Sequence, residues 1–387
     1  MKLHSFLDRI FKKQHATKMK HITCFHLFND YSGSPKVLQN ILQSLLDEGY
    51  DVDLITSRGG ILDSLTSSKG QLKRTTYHYP KFSTYALEAV IRYSTYQIYT
   101  FCIAWRYLFK KDTIFYINTI LPIGPAIAGR LMTKKVIYHY HENAFVKSVF
   151  YRLLCRGMCA LASQIICVSQ YQRSFLKRQK GVYIIPNALP ANFTSQLTPH
   201  IKKAFERKNI LMLSSLKTYK GILEFIQLSQ RLPQYEFTLV INDTQAEIDS
   251  FIKKQSIVPS SNLLIVPRQN DVTPFYNHAS LVLNLSNKKK IIETFGLTAL
   301  EAMAAGLPII VPTQGGIAEM VDDNVNGYKI DVQELDKIAN TIVQVFSDES
   351  LYCQLATNAL KHSKLFNNAN IIEQIIAVFK LQVTTSI

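Results

Sequence analysis

Residues 293–327 read ETFGLTALEAMAAGLPIIVPTQGGIAEMVDDNVNG, and the rest of the chain is organised around them. Two carboxylates, Glu293 and Glu301, bracket the short segment Phe295-Gly296-Leu297-Thr298. Ala299, Leu300, Ala302, Met303, Ala304 and Ala305 favour a helix starting near Thr298. Gly306 stands where a left-handed cap is wanted, and Pro308 where a helix cannot continue. LPIIVP then reads as a short apolar strand, and Gln314-Gly315-Gly316 as a turn.

This succession suits a nucleotide-sugar site. Free N–H groups at a helix start receive a diphosphate, and the helix dipole favours it. Glycine lets a phosphate approach the backbone closely. Glu301, inside the helix, can accept two hydrogen bonds from a vicinal diol such as ribose. Glu293, before the helix, can do the same for sugar hydroxyls. Two carboxylates beside an αβ turn would also serve as plain surface charge, so the longer pattern has to decide.

That pattern closely resembles the Glu-x7-Glu signature of retaining glycosyltransferases of family 4 with the GT-B fold. The matching residues are Glu293, Phe295, Gly296, Leu297, Leu300, Glu301, Ala302, Met303, Ala304, Gly306, Pro308, Gly315, Gly316, Glu319, Asn326 and Gly327. The resemblance implies an α/β chain of two Rossmann-like domains facing across a cleft. Residues 21–200 would form an acceptor domain and residues 201–365 a donor domain. The final segment, 366–387, would cross back onto the first domain.

At 387 residues, 47% hydrophobic, the chain is long and apolar enough for two packed cores. The six cysteines are scattered, with no C-x2-C pair, which argues against zinc. Cys155 and Cys159 share one helical face and read as small core residues. With no signal peptide, reduced thiols and a cytoplasmic setting are expected. The net charge of +16 is segregated: residues 1–205 hold 28 Lys and Arg against 10 Asp and Glu, leaving 16 against 18 for the remainder. An anionic partner for the first half follows, and a membrane surface or lipid phosphate fits best. Nucleic acid does not, because the basic residues form no recognition module.

Residues 1–20 place Leu3, Phe6, Leu7, Ile10 and Phe11 on one helical face, with six Lys and Arg around them. Two readings stand: a basic amphipathic helix in a membrane interface, or a terminal segment that frays or docks on its own domain. The run YSTYQIYTFCIAW, residues 93–105, is uncharged, aromatic and flanked by basic residues. It reads either as a core helix or as a membrane-interface element.

HITCFHLF, the loop through Gly33-Ser34-Pro35, a helix from Lys36 through Leu46 and the strand DVDLIT open a doubly wound domain. The resemblance turns Gly33 and Ser34 into cleft-loop residues. Ser32 stands where relatives of this type often carry another glycine. KKVIYHYHE forms a later strand, and His141, followed by Glu142, matches the histidine that points at the donor sugar. His139 faces the same side and reads as structural. VYIIPNALPANF resembles the exit from the first domain, with a hinge near 194–207.

In the second half the resemblance implies a cation pair that clamps the donor diphosphate. Lys220-Gly221 is intact, but Ser215 occupies the place of the usual Arg. Lys217, two residues on, is the candidate replacement, although a lysine is a point charge and not a bidentate fork. Arg268 falls where the base is read, and Lys288, Lys289 and Lys290 precede Glu293. Ile371, Ile372, Ile375, Ile376 and Phe379 form the apolar face of the last helix.

The resemblance implies hexose transfer from a nucleotide-sugar, UDP- or GDP-linked, to a hydroxyl of a glycan or lipid-diphosphate-linked acceptor, with the anomeric configuration retained. Glu293 and His141 would hold the sugar. Glu301 would hold ribose. Lys220, Lys217 and the amides of Gly296, Leu297 and Thr298 would hold the diphosphate, with no metal and no cofactor. The expected setting is surface-polysaccharide assembly (capsule, O-antigen or exopolysaccharide) at the inner face of the cell membrane. Two alternatives share the gross fold: a nucleotide-sugar 2-epimerase and a catalytically silent partner subunit.

Overall fold

The computed structural model describes residues 21–79, 85–145 and 148–381. The basic segment 1–20 lies outside the described residues. The first lobe holds seven strands: β1 (His21–Phe25), β2 (Asp51–Ser57), β3 (Leu72–Tyr77), β4 (Thr113–Asn118), β5 (Lys135–Tyr140), β6 (Gln164–Cys167) and β7 (Val182–Ile184). They pair in parallel in the order β3-β2-β1-β4-β5-β6-β7. The second lobe holds β8 (Asn209–Ser214), β9 (Glu236–Ile241), β10 (Leu263–Val266), β11 (Leu281–Leu283), β12 (Ile309–Val311) and β13 (Gly327–Lys329), ordered β10-β9-β8-β11-β12-β13.

Helices cover both faces of the first sheet, which is why its central strands are buried without alternation: every residue of β4 is buried. One core lies between the sheet, the helix Gly33–Asp47 and the last helix, Asn368–Lys380. Another lies between the sheet and the helices Ala86–Ala104, Gly124–Leu131 and Val149–Leu161. A single larger core fills the second lobe. Each sheet has a switch point where strand order reverses, β1/β4 in one lobe and β8/β11 in the other. Ligands of open α/β sheets bind in such crevices. This is the GT-B architecture: two Rossmann-like lobes facing across a cleft.

The chain leaves the first core at Ala188 and enters the second at Leu189. It returns through Phe366, which packs against both cores. The helix Asn368–Lys380 then docks through Ile371, Ile372, Ile375, Val378 and Phe379. Phe379 meets Tyr116 edge-on at 5.2 Å, and Asn40 Nδ2 donates to Asn368 Oδ1 at 2.7 Å. The apolar run 93–105 belongs to the helix Ala86–Ala104 and the turn after it; its inward residues include Gln97, Thr100, Ile103 and Ala104.

Lys135, at the start of β5, fastens the end of the last helix. Its Nζ donates to the carbonyls of Val378 (2.8 Å), Phe379 (2.7 Å) and Leu381 (2.5 Å). Those are the orphan acceptors of a helix C-terminus, and the dipole there favours a cation. Lys135→Met should leave them without a donor and cost about 2 kcal/mol. Hydrogen exchange should show residues 371–380 opening while the second sheet stays protected. Unchanged protection of that helix would show that its apolar face alone holds it.

Candidate active site

A cleft of about 670 Å³ separates the lobes. Gly33, Ser34 and His141 line it from the first lobe. Ser215, Lys220, Arg268, Glu293, Phe295, Gly296, Leu297, Thr298 and Glu301 line it from the second. Lys217 lies outside this lining and is exposed.

Glu293 sits in a loop that the sequence could hardly build otherwise. Its carbonyl accepts the Gly316 N–H at 2.8 Å. A Cβ on Gly315, whose φ is +110°, would stand 2.4 Å from that carbonyl oxygen, and one on Gly316 would stand 1.8 Å from the carbonyl oxygen of Thr294. Only glycine fits the turn. The carboxylate pairs with the Lys220 ammonium, and Ser286 Oγ donates to Oε1 at 2.9 Å. Burial pushes the carboxyl up, but the Lys220 charge and these hydrogen bonds outweigh it and leave Glu293 below the ordinary glutamate range. It is an ionised acceptor.

The helix Leu297–Ala304 begins beside this pair. Gly296, its N-cap, is left-handed at φ +92°, and Ile317 blocks the space a Cβ would take. The first N–H groups of a helix have no intrahelical partner, so those of Leu297 and Thr298 are offered to an anion. One turn later Glu301 reaches the cleft, held by the buried Tyr276, whose hydroxyl donates to Oε2 at 2.5 Å. Asn284 Nδ2 donates to Thr298 Oγ1 at 3.3 Å.

From the opposite lobe His141 follows β5. Its Nε2 faces Asn118 Oδ1 at 2.9 Å, while Asn118 Nδ2 faces His26 Nδ1 at 3.1 Å. This chain assigns the His141 proton to Nε2 and leaves Nδ1 as an acceptor. Burial first, then the neighbouring His139 and His26, hold the ring's pKa far below the ordinary histidine value. His141 is therefore a neutral imidazole, with no positive charge to offer a sugar. His139 is buried against Tyr116, whose hydroxyl lies 2.7 Å from its Nδ1.

Contacts between lobes close the cleft. Thr294 Oγ1 donates to the His141 carbonyl at 2.6 Å, and Asn242 Nδ2 to the Tyr31 carbonyl at 3.0 Å. Arg268 donates to Asn242 Oδ1 at 2.8 Å and lies 5.0 Å over the Tyr31 ring. Glu319 accepts the Gln170 N–H at 2.9 Å and also that of Tyr171. Of the three lysines before Glu293, Lys288 pairs with Asp331, and Lys290 lines the cleft.

Paired lobes with this crevice define a GT-B glycosyltransferase, and the match extends along both halves. Residues 31–193 match the model "Glycosyltransferase Family 4" and residues 197–362 the model "Glycosyl transferases group 1", and the two together support a glycosyltransferase of the family-4 type. Among curated relatives, N-acetyl-alpha-D-glucosaminyl L-malate synthase of Bacillus anthracis is 30% identical over 118 residues, 30% of each chain. A probable sucrose-phosphate synthase of Craterostigma plantagineum is 34% identical over 100 residues, 26% of this chain and 9% of the relative. The chain thus spans only about a tenth of the length of the sucrose-phosphate synthases it matches. Among solved structures, Anabaena HepE in complex with UDP and glucose has a TM-score of 0.72 at 20% identity, covering 92% of this chain and 98% of that one. Sucrose-phosphate synthase of Thermosynechococcus elongatus has a TM-score of 0.74 at 18% identity, covering 93% and 98%.

Buried neutral histidines make the first lobe acid-labile. Burial lowers His26 to about 4 and His139 to about 3, and His141 is lowered as well. Unfolded histidines take a proton near pH 6.5, the folded ones only well below it. Stability is thus complete above about pH 6.5 and is lost as the pH falls toward 4, by about 1.4 kcal/mol per unit and histidine. Hydrogen exchange across that window should deprotect β1, β4 and β5 before β8, β11 and β12. Simultaneous loss in both sheets would count against it.

Proposed function

We propose that the protein transfers a hexose from a nucleotide-sugar to a hydroxyl of a glycan or lipid-diphosphate-linked acceptor, with retention of anomeric configuration. The Lys220–Glu293 pair, set at the mouth of the helix that carries Glu301, is the observation that carries this reading. In it, Glu301 takes the ribose diol. The helix amides and Lys220 take the diphosphate. Glu293 takes sugar hydroxyls, and His141 Nδ1 accepts one more. The acceptor hydroxyl attacks the anomeric carbon from the face the leaving group departs. The bond from that carbon to the diphosphate oxygen breaks, and the same oxygen takes the acceptor's proton. The products are a glycoside and a nucleoside diphosphate. Catalysis is then positioning and charge stabilisation by fixed amides and a lysine. Solved HepE complexes contain UDP and UDP-glucose, which favours a uridine donor for this chain. The acceptor would be a surface-polysaccharide intermediate met at the cytoplasmic face of the cell membrane.

A panel of nucleotide-sugars, with release of nucleoside diphosphate followed with and without membrane extract, tests the activity. Acceptor-dependent release supports transfer. Donor conversion without acceptor would indicate a 2-epimerase, and no turnover at all a silent subunit. Glu293→Gln should keep the Ser286 contact and the fold, and lower kcat/KM by about 10²–10³-fold. Wild-type turnover in that variant would remove Glu293 from the reaction.

Ser215 is the specific observation behind the silent-subunit reading, since Lys217 does not line the cleft to replace the absent guanidinium. Ser215→Arg should restore a bidentate clamp and tighten UDP binding about tenfold in calorimetry. Unchanged or weaker binding would mean that the cleft no longer has room for that cation.

A further inference from the structure

Exposed apolar surface is not spread evenly over this molecule. Among the described residues 21 large apolar side chains are exposed, and 15 of them fall within residues 85–153. On the helix Ala86–Ala104 and the turn after it, Leu87, Ile91, Ile98, Trp105 and Phe109 recur at helical spacing, Leu87 73% and Phe109 91% exposed. The inward face of the same helix includes polar Gln97 and Thr100. The helix therefore turns to solvent residues at least as apolar as those it buries. The two neighbouring helices extend the surface through Leu131, Val149 and Leu153. Tyr93 meets Phe150 edge-on at 5.2 Å, which joins the first helix to the third.

The rim is basic. Arg106, Lys110, Lys111, Arg130, Arg152 and Arg156 are exposed around these helices, against exposed carboxylates of Glu88 and Asp112. A contiguous apolar face of this kind marks a binding surface. A second copy of the chain would bring the same positive rim against this one, so self-association is disfavoured. An anionic bilayer satisfies both parts: Trp105 and the aliphatic side chains enter the interface, while Arg and Lys reach the headgroups. No helix of the described residues is long and apolar enough to cross a membrane.

We propose that the outer face of the helices Ala86–Ala104, Gly124–Leu131 and Val149–Leu161 docks the protein on an anionic lipid surface. The helices Ala86–Ala104 and Val149–Leu161 both start at the end of the sheet where the cleft opens, because each follows the C-terminal end of a parallel strand. Docking there brings the cleft mouth to the bilayer. The proposal stands apart from the transfer chemistry and does not depend on it.

Vesicle flotation of the full chain tests this without any turnover measurement. Wild type should float with phosphatidylcholine–phosphatidylglycerol vesicles, stay behind with phosphatidylcholine alone, and release as salt is raised. A Leu87→Ser/Ile91→Ser/Phe109→Ser variant, with its charge unchanged, should bind at least tenfold more weakly, and an Arg106→Gln/Lys110→Gln/Lys111→Gln variant likewise. Unchanged melting temperatures show that both variants fold; Phe109→Ser alone serves if the triple variant does not. Wild-type flotation by the apolar variant would overturn the proposal, as would binding indifferent to phosphatidylglycerol and salt. So would a wild-type dimer in light scattering that the apolar variant splits, since the face would then belong to a second copy.

Discussion

The structure depends on one tight crossing of backbone. Residues 293–294 and 315–316 pass so closely that their separation leaves no room for a side chain on either glycine. That contact holds Glu293 at the cleft, brings Thr294 to the His141 carbonyl of the opposite lobe, and sets the helix Leu297–Ala304 at its start. The glycine pair in the sequence is therefore a geometric requirement of the site.

Around that crossing, burial and neighbours set the charge of each cleft group. Lys220 and Ser286 hold Glu293 ionised although it is largely desolvated. Across the gap, His141 is held neutral by burial and by two other imidazoles. The neutral ring donates from Nε2 to Asn118 and keeps its lone pair on Nδ1. Asn118, which links His141 to His26, sets this arrangement from the C-terminal end of β4.

The second lobe was largely legible in the sequence because its site is local: one run of residues supplies Glu293, the helix start, Glu301 and the glycine turn. The helix begins one residue before Thr298, and Gly306 takes the left-handed cap. Some residues brought in from a distance were not legible. Tyr276 and Ser286 hold the two carboxylates from other elements, and only the Tyr-x-x-Ala spacing before β11 hinted at the first. Asn118 was hidden at the end of a wholly buried strand, where its position beside the switch point was the available signal. Lys217 matched a cation by proximity in sequence, but the 3-10 turn Thr218–Lys220 that follows it leaves it outside the cleft lining. Of the three lysines ahead of Glu293, Lys288 is held by Asp331 and Thr313.

The two crossings of the chain, at 188–189 and near Phe366, leave rotation about the line between them as the easy motion of the lobes. The hydrogen bonds from Thr294 to His141, from Asn242 to Tyr31, and from Gln170 and Tyr171 to Glu319 are the polar links described across the gap. Each is worth about 1 kcal/mol net. Together they contribute a few kcal/mol, to which Val168, buried in the second core, Leu297, packed against both cores, and Arg268 over the Tyr31 ring add contact across the gap. The two cores, by contrast, are each closed by tens of buried apolar side chains. Each lobe thus has its own closed core, and the gap between the lobes is bridged by the few side chains named above.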